Sequence, residues 1–441
     1  MMSYLNDEFL IRETNILKIP YQFLTKKTYV KIKKFFQNLK SSMRDPNLLN
    51  QLWGALLSDA ITFLKMNDKR EFRNSKKTSS KRDEIAFGID KLSEYFQEFS
   101  SFEALLYGAD GFYRDHIMHV FRVWLIGHWI MNQFKSDVYF DCANIKNEEG
   151  KPLSISKEET EAMWCIIALT HDLGYPLDKV DKISQKIDSM MAYFGRTESN
   201  SGCFQIPTHH HFINDFILKF ISSKLTQKDN HLQTTLQSKF YLKFSRSFEN
   251  FDHGIISCIV LMKNLVYFLE SDLDLGGRFF TDFEDARQFF IRRDIMRSVA
   301  SHTCTDIYHL YPNSLSFILI LADELQVWGR PTFIEMKGGG QKPKLKARLA
   351  KISKEEIKME FIIKNGTQIG IEQYIFSLYR RWHKLLRTAL DASERKIIFT
   401  FTAEVDLKNK PSNKYSFSSK HSNEIQLLIN NKKQPLSKIY P

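Results

Sequence analysis

His171 and Asp172 stand side by side in Thr170-His171-Asp172-Leu173-Gly174-Tyr175-Pro176, directly after the apolar run Ala162 to Leu169. A neutral imidazole and a carboxylate are ligands that a hydrolytic divalent ion accepts, and a Gly-Tyr-Pro turn at a helix end lets neighbouring side chains aim at one point. Alone, a buried helix ending in His-Asp is also what an ordinary hydrogen-bonded helix end looks like. Two other stretches add weight. Upstream, Arg114-Asp115-His116-Ile117-Met118-His119-Val120-Phe121-Arg122 carries two histidines three apart, on one face of a helix. Downstream, Asp323 and Glu324 follow the apolar run Phe317 to Ile320. An acid drawn into a buried helix needs a partner to offset its desolvation, and a cation suits it.

A His in a His-x-x-x-Val helix, then His-Asp, then a distant Asp: this order resembles the HD-domain superfamily of metal-dependent phosphohydrolases, over roughly 110–331. The resemblance implies His119, His171, Asp172 and Asp323 as ligands of one divalent ion. It also implies His253, in Phe251-Asp252-His253-Gly254-Ile255, and His302, in Val299-Ala300-Ser301-His302-Thr303, as ligands completing a second site. His116 satisfies His-x-x-x-Val through Val120, so the first ligand is left between His116 and His119, the other facing the pocket as a catalytic or phosphate contact.

The implied activity is hydrolysis of a phosphate ester, a nucleotide or a related small molecule, by water activated on one or two ions. Manganese, iron, nickel, cobalt, zinc and magnesium are not distinguished by such ligands. Asp172 belongs to the implied catalytic set. Arg122 and Arg330 are candidate phosphate contacts. Tyr175 stands where the cyclic-dinucleotide branch commonly has a lysine after His-Asp-x-Gly, which makes Lys179 the nearest candidate for that proton-transfer role. The alternative is a regulatory protein of the same fold that binds a nucleotide without turning it over.

The elements that must position these residues read as helices. Ser156-Lys157-Glu158-Glu159 is a capping box opening the run that ends at His171. Residues 1–84 form a helical N-terminal section with a basic, aperiodic linker at 72–82. Residues 85–335 form an all-α domain with polar connections at 145–154, 196–207 and 226–235. After the Gly-rich break at 336–343, Lys358 to Ile363 and Lys396 to Thr402 have strand composition around a helical Glu372 to Leu390. The expected fold is mainly α, a helical HD-type core with a small α/β appendage at 336–441.

Charge and cysteines bound the rest. The net charge of +12 comes entirely from 336–441, with 22 Lys/Arg against 9 Asp/Glu, whereas 1–335 carries 41 against 42. Such a concentration attracts polyanions, so nucleic acid or an acidic protein is an expected partner of that segment if it has one. Five scattered cysteines without a C-x-x-C pair suggest neither a disulfide framework nor a thiolate zinc site. No basic-then-apolar N-terminus and no long apolar run occurs, so a soluble cytoplasmic protein without membrane contact is expected. Oligomerisation is left open.

Overall fold

The computed structural model describes residues 4–42, 45–66, 88–109, 115–191, 210–228, 231–269, 279–330, 344–364, 375–385, 398–406, 413–419 and 425–435, apart from a few isolated positions. The basic stretch at 72–82, the connection at 196–207 and the break at 336–343 lie outside these residues. The fold is mainly α with a small α/β part. By packing, the chain forms two compact units, one of Ile16–Phe121 and Phe140–Cys304, the other of Met1–Asn15, Arg122–Tyr139 and Thr305–Pro441.

The larger unit contains α1 (Lys26–Gln37), α2 (Pro46–Met66), α3 (Ile89–Ala109) and the first residues of α4 (Ile117–Gln133). It continues with α5 (Lys157–Thr170), the single turn α6 (Tyr175–Asp178), α7 (Val180–Met191) and α8 (His210–Ser222). After a hairpin come α9 (Ser238–Glu249), α10 (His253–Asn264) and α11 (Phe283–Ser301).

Helix α5 lies at the centre, because every residue from Ala162 to Thr170 is buried and a helix apolar on all faces has no surface to offer water. Its start is the capping box read from sequence: Ser156 Oγ accepts from Glu159 N–H (3.1 Å) and Glu159 Oε2 from Ser156 N–H (2.9 Å). The other Glu159 oxygen pairs with Arg287 of α11, which ties this buried helix start to its neighbour. At its other end, the Leu169 carbonyl accepts from Trp53 Nε1 of α2 (2.8 Å), satisfying one of the last-turn acceptors. The Trp53 ring stacks on Phe96 of α3 at 4.4 Å, so one side chain joins three helices. Truncating it to alanine removes both packing and donor, a loss of about 3–5 kcal/mol.

A hairpin, β1 (Ser223–Lys228) against β2 (His231–Leu236), with the two-residue β3 (Phe279–Phe280) on β2, occupies the connection expected to be irregular at 226–235. Only Leu225 and Leu232 of the pair are apolar and buried, so alternation is too sparse to announce strands.

The smaller unit combines the helix Asp7–Glu13, the remainder of α4, α12 (Leu315–Leu325) and a six-stranded sheet. The strands are β4 (Lys344–Ile352), β5 (Glu356–Lys364), β6 (Ile398–Asp406), β7 (Asn413–Ser419), β8 (Ile425–Ile429) and β9 (Lys432–Gln434), in sequential order. Buried Ile357, Met359, Phe361 and Ile363 alternate with half-exposed Lys358, Glu360 and Ile362, the period of a one-faced sheet. Neighbours are antiparallel except β5 and β6, whose parallel pairing requires a crossover, and helical residues 375–381 and 383–385 lie in it. Leu5 N–H donates to the Ala347 carbonyl (2.8 Å), so the N-terminus joins the β4 edge. Compactness therefore divides the chain differently from the composition breaks near 85 and 336. No helix among the described residues is long and apolar enough to cross a membrane.

Candidate metal centre

The larger unit brings four histidines around one carboxylate. Asp172 Oδ2 faces His171 Nε2 at 3.3 Å and His119 Nε2 at 3.6 Å. Asp172 Oδ1 faces His253 Nε2 at 3.3 Å and His302 Nε2 at 3.7 Å. His119, His171, His302 and Asp172 are buried, and His253 is half-buried at the rim. The rings meet edge to face, His171 and His302 at 5.0 Å, His253 and His302 at 5.0 Å, His119 and His171 at 5.4 Å. These residues come from α4, α5, α10 and α11, so four helices converge on one side chain.

The local sequence explains how. His171 caps the C-terminus of α5 and its Nδ1 lies 2.9 Å from the Ala168 carbonyl; His302 caps the C-terminus of α11 with Nδ1 2.6 Å from the Val299 carbonyl. A carbonyl only accepts, so Nδ1 is protonated in both rings and Nε2 is the nitrogen turned to Asp172, bearing a lone pair when the ring is neutral and a proton when it is charged. Nε2 of His302 is buried and makes no hydrogen bond among the described residues. A lone pair without a donor inside a protein is costly, and a bound cation would relieve it.

The turn after Asp172 is set by Gly174, whose added Cβ would lie 2.3 Å from the His253 carbonyl and 2.7 Å from Ile256 Cβ. Gly174 N–H donates to Ser257 Oγ (2.8 Å), and that hydroxyl lies within donating distance of both the His171 and His253 carbonyls (2.7 and 2.8 Å). This small network clamps α10 against the end of α5.

Electrostatics follow the geometry. Burial pushes the Asp172 carboxyl up, but His171, His253 and His302 outweigh it and hold it well below the usual carboxylate range. Burial also dominates at His302, lowering it to about 4 against the pull of Asp172, so the ring is neutral at pH 7. At His253 burial acts downward as well, but Asp172 and Asp178 together raise it to about 9.

The remaining sequence candidates fall in different places. Of the two candidate first ligands, His119 faces Asp172, while His116 is stacked on Tyr175 (3.8 Å) with its backbone N–H donating to Glu103 (2.7 Å). Lys179 pairs with Asp178 (2.9 Å) and lies over the Tyr175 ring (4.7 Å), a role as counter-ion to that acid. Arg122, a candidate phosphate contact, is buried in the smaller unit. Its Nε and Nη2 donate to Asp7 (2.9 and 3.0 Å) and its Nη1 to the Gly329 carbonyl (3.1 Å), which engages every guanidinium nitrogen in the smaller unit. Asp323 and Arg330 also belong to that unit, Asp323 half-buried on α12 beside Glu324, which Lys384 (3.3 Å) and Arg381 (3.5 Å) hold. Asp178 and Ser257 were not singled out from sequence, because His253 and Gly174, which they contact, are distant from them in the chain.

Comparison with known proteins returns no matching family model, no matching curated protein and no matching solved structure. The functional reading therefore rests on these residues themselves.

The donor set fits a divalent ion. Two ligand atoms each about 2.1 Å from one ion and separated by a tetrahedral angle lie about 3.4 Å apart. The four N to O separations, 3.3 to 3.7 Å, match such edges. Imidazole and carboxylate without thiolate favour a borderline metal of the kind used in hydrolysis.

Proposed function

We propose that this protein is a metal-dependent phosphohydrolase of the HD type, acting on a nucleotide or related phosphate ester. The observation that carries the reading is the division of the Asp172 carboxylate, each oxygen facing two imidazole nitrogens in a buried cluster. With that division Asp172 would help hold two ions, one together with His119 and His171, the other together with His253 and His302. Asp323 is the further ligand assigned by the resemblance to that superfamily.

Ions held there would supply Lewis acidity, bringing the pKa of bound water toward about 7 and offsetting charge on phosphoryl oxygens. The chain's own residues do the rest. Asp172 stays ionised at neutral pH, so both its oxygens are available as acceptors. Neutral His302 needs no proton removed before it ligates. Burial of the cluster lowers the local dielectric, which strengthens its hold on charge. Arg330 is retained as the candidate phosphate contact, and a cytoplasmic location is part of the same reading.

The test is metal analysis of the purified protein, followed by phosphate release from a panel of nucleotides and cyclic nucleotides with manganese, zinc or magnesium added. Wild type is expected to retain ions and release phosphate, and folded Asp172→Ala to do neither. Release undiminished in Asp172→Ala would refute the assignment. Ions retained without turnover of any compound would convert the reading to a nucleotide-binding regulatory protein.

A further inference from the structure

The three imidazoles that point Nε2 at Asp172 and whose Nδ1 contacts are defined are not oriented by equivalent means. His171 and His302 sit at helix C-termini, where the ring folds back on the carbonyl three residues earlier. His253 is the first residue of α10, after the N-cap Asp252, so no helical turn precedes it to provide that carbonyl. Its Nδ1 faces instead a carboxylate from another element, Asp178 Oδ2 at 3.4 Å. Asp178 ends the single turn α6 that begins three residues after Asp172, and Lys179 Nζ lies 2.9 Å from the same oxygen. Tyr175, from the start of that turn, packs its ring on His253 at 5.2 Å. The turn thus touches His253 through both an acceptor and an aromatic face.

We infer that Asp178 is the positioning residue for His253, substituting for the missing helix carbonyl by holding Nδ1–H outward so that Nε2 is presented to the second ion of the centre. The inference rests on the metal-centre reading above. A carboxylate behind a ligating histidine fixes its tautomer and ring orientation, and losing such a partner typically weakens metal binding about 10–100-fold. Because Asp178 stands behind His253, the loss falls on the ion that His253 would hold. Lys179, 2.9 Å from the same Asp178 oxygen, then acts on the centre through Asp178.

The experiment titrates metal-free, full-length wild type, Asp178→Ala and Asp178→Asn with Mn2+, following free aqueous Mn2+ by electron paramagnetic resonance. Wild type is expected to take up two equivalents. Asp178→Ala is expected to keep the first unchanged and to bind the second about 10–100-fold more weakly. Asp178→Asn, whose Oδ1 still accepts a hydrogen bond, is expected to recover most of the second affinity. Crystal structures of the metal-free proteins provide a second readout: in Asp178→Ala the His253 ring should turn from Asp172, opening the 3.3 Å Nε2 to Oδ1 separation. An unaltered second equivalent, a wild type that takes up one ion only, or a His253 ring that keeps its place would each overturn the inference. Uptake of no ion by wild type would remove the metal reading instead, leaving the ring comparison to decide the orienting role. Asp178 is partly exposed at the surface, so the variants are expected to fold.

Discussion

At the scale of single residues the centre depends on one carboxylate serving four imidazoles. Asp172→Asn keeps the shape and removes the charge, so it separates ion binding from packing. In denaturant titrations at an ion concentration one hundred times Kd, wild type should gain about 2.7 kcal/mol of stability and Asp172→Asn essentially none. A second residue-level prediction concerns Glu159. Burial pushes its carboxyl up, but Arg287 and the Ser156 cap bring it below its ordinary value. A depressed folded pKa means stabilisation that is complete above the unfolded value, about 4.3, and lost as pH falls through the folded one. The urea midpoint of wild type should therefore drop on acidification below that value, and the drop should be smaller in Glu159→Gln. Arg287→Met, which strands the buried Glu159 charge, should cost about 3 kcal/mol at pH 7.

At the scale of elements, the centre requires α5, α6 and α10 to approach more closely than side chains permit. Gly174→Ala would force Cβ against the His253 carbonyl and the α10 backbone, neither of which is the free end of a flexible chain. A loss of about 1–3 kcal/mol is expected from overpacking, with weakened ion uptake because His253 must shift, measurable by thermal unfolding and Mn2+ titration together. Ser257→Ala leaves Gly174 N–H without its acceptor and should cost about 1–3 kcal/mol if water does not replace the hydroxyl. Both positions are invisible to helix periodicity, since they serve contacts between elements rather than the elements themselves.

At the scale of the whole molecule, the smaller unit is assembled from three stretches of chain. Arg122 is buried with its charge met by Asp7, and Trp328 Nε1 donates to the same carboxylate (2.9 Å). Removing residues 1–15 should therefore destabilise this unit by about 3 kcal/mol through the stranded guanidinium alone, seen as faster amide hydrogen exchange in 344–364. The sequence by itself determined the mainly helical class, the capping box at Ser156 and the burial of the helix ending in His171-Asp172, because these depend on neighbours within a turn or two. Strand composition at 358–363 was legible for the same reason. Only the tertiary structure decided that His119 rather than His116 faces Asp172, that Arg122 is engaged by Asp7, and that His253 leans on Asp178. Each of those outcomes turns on which atoms meet across dozens to hundreds of residues, and local periodicity carries no information about such meetings.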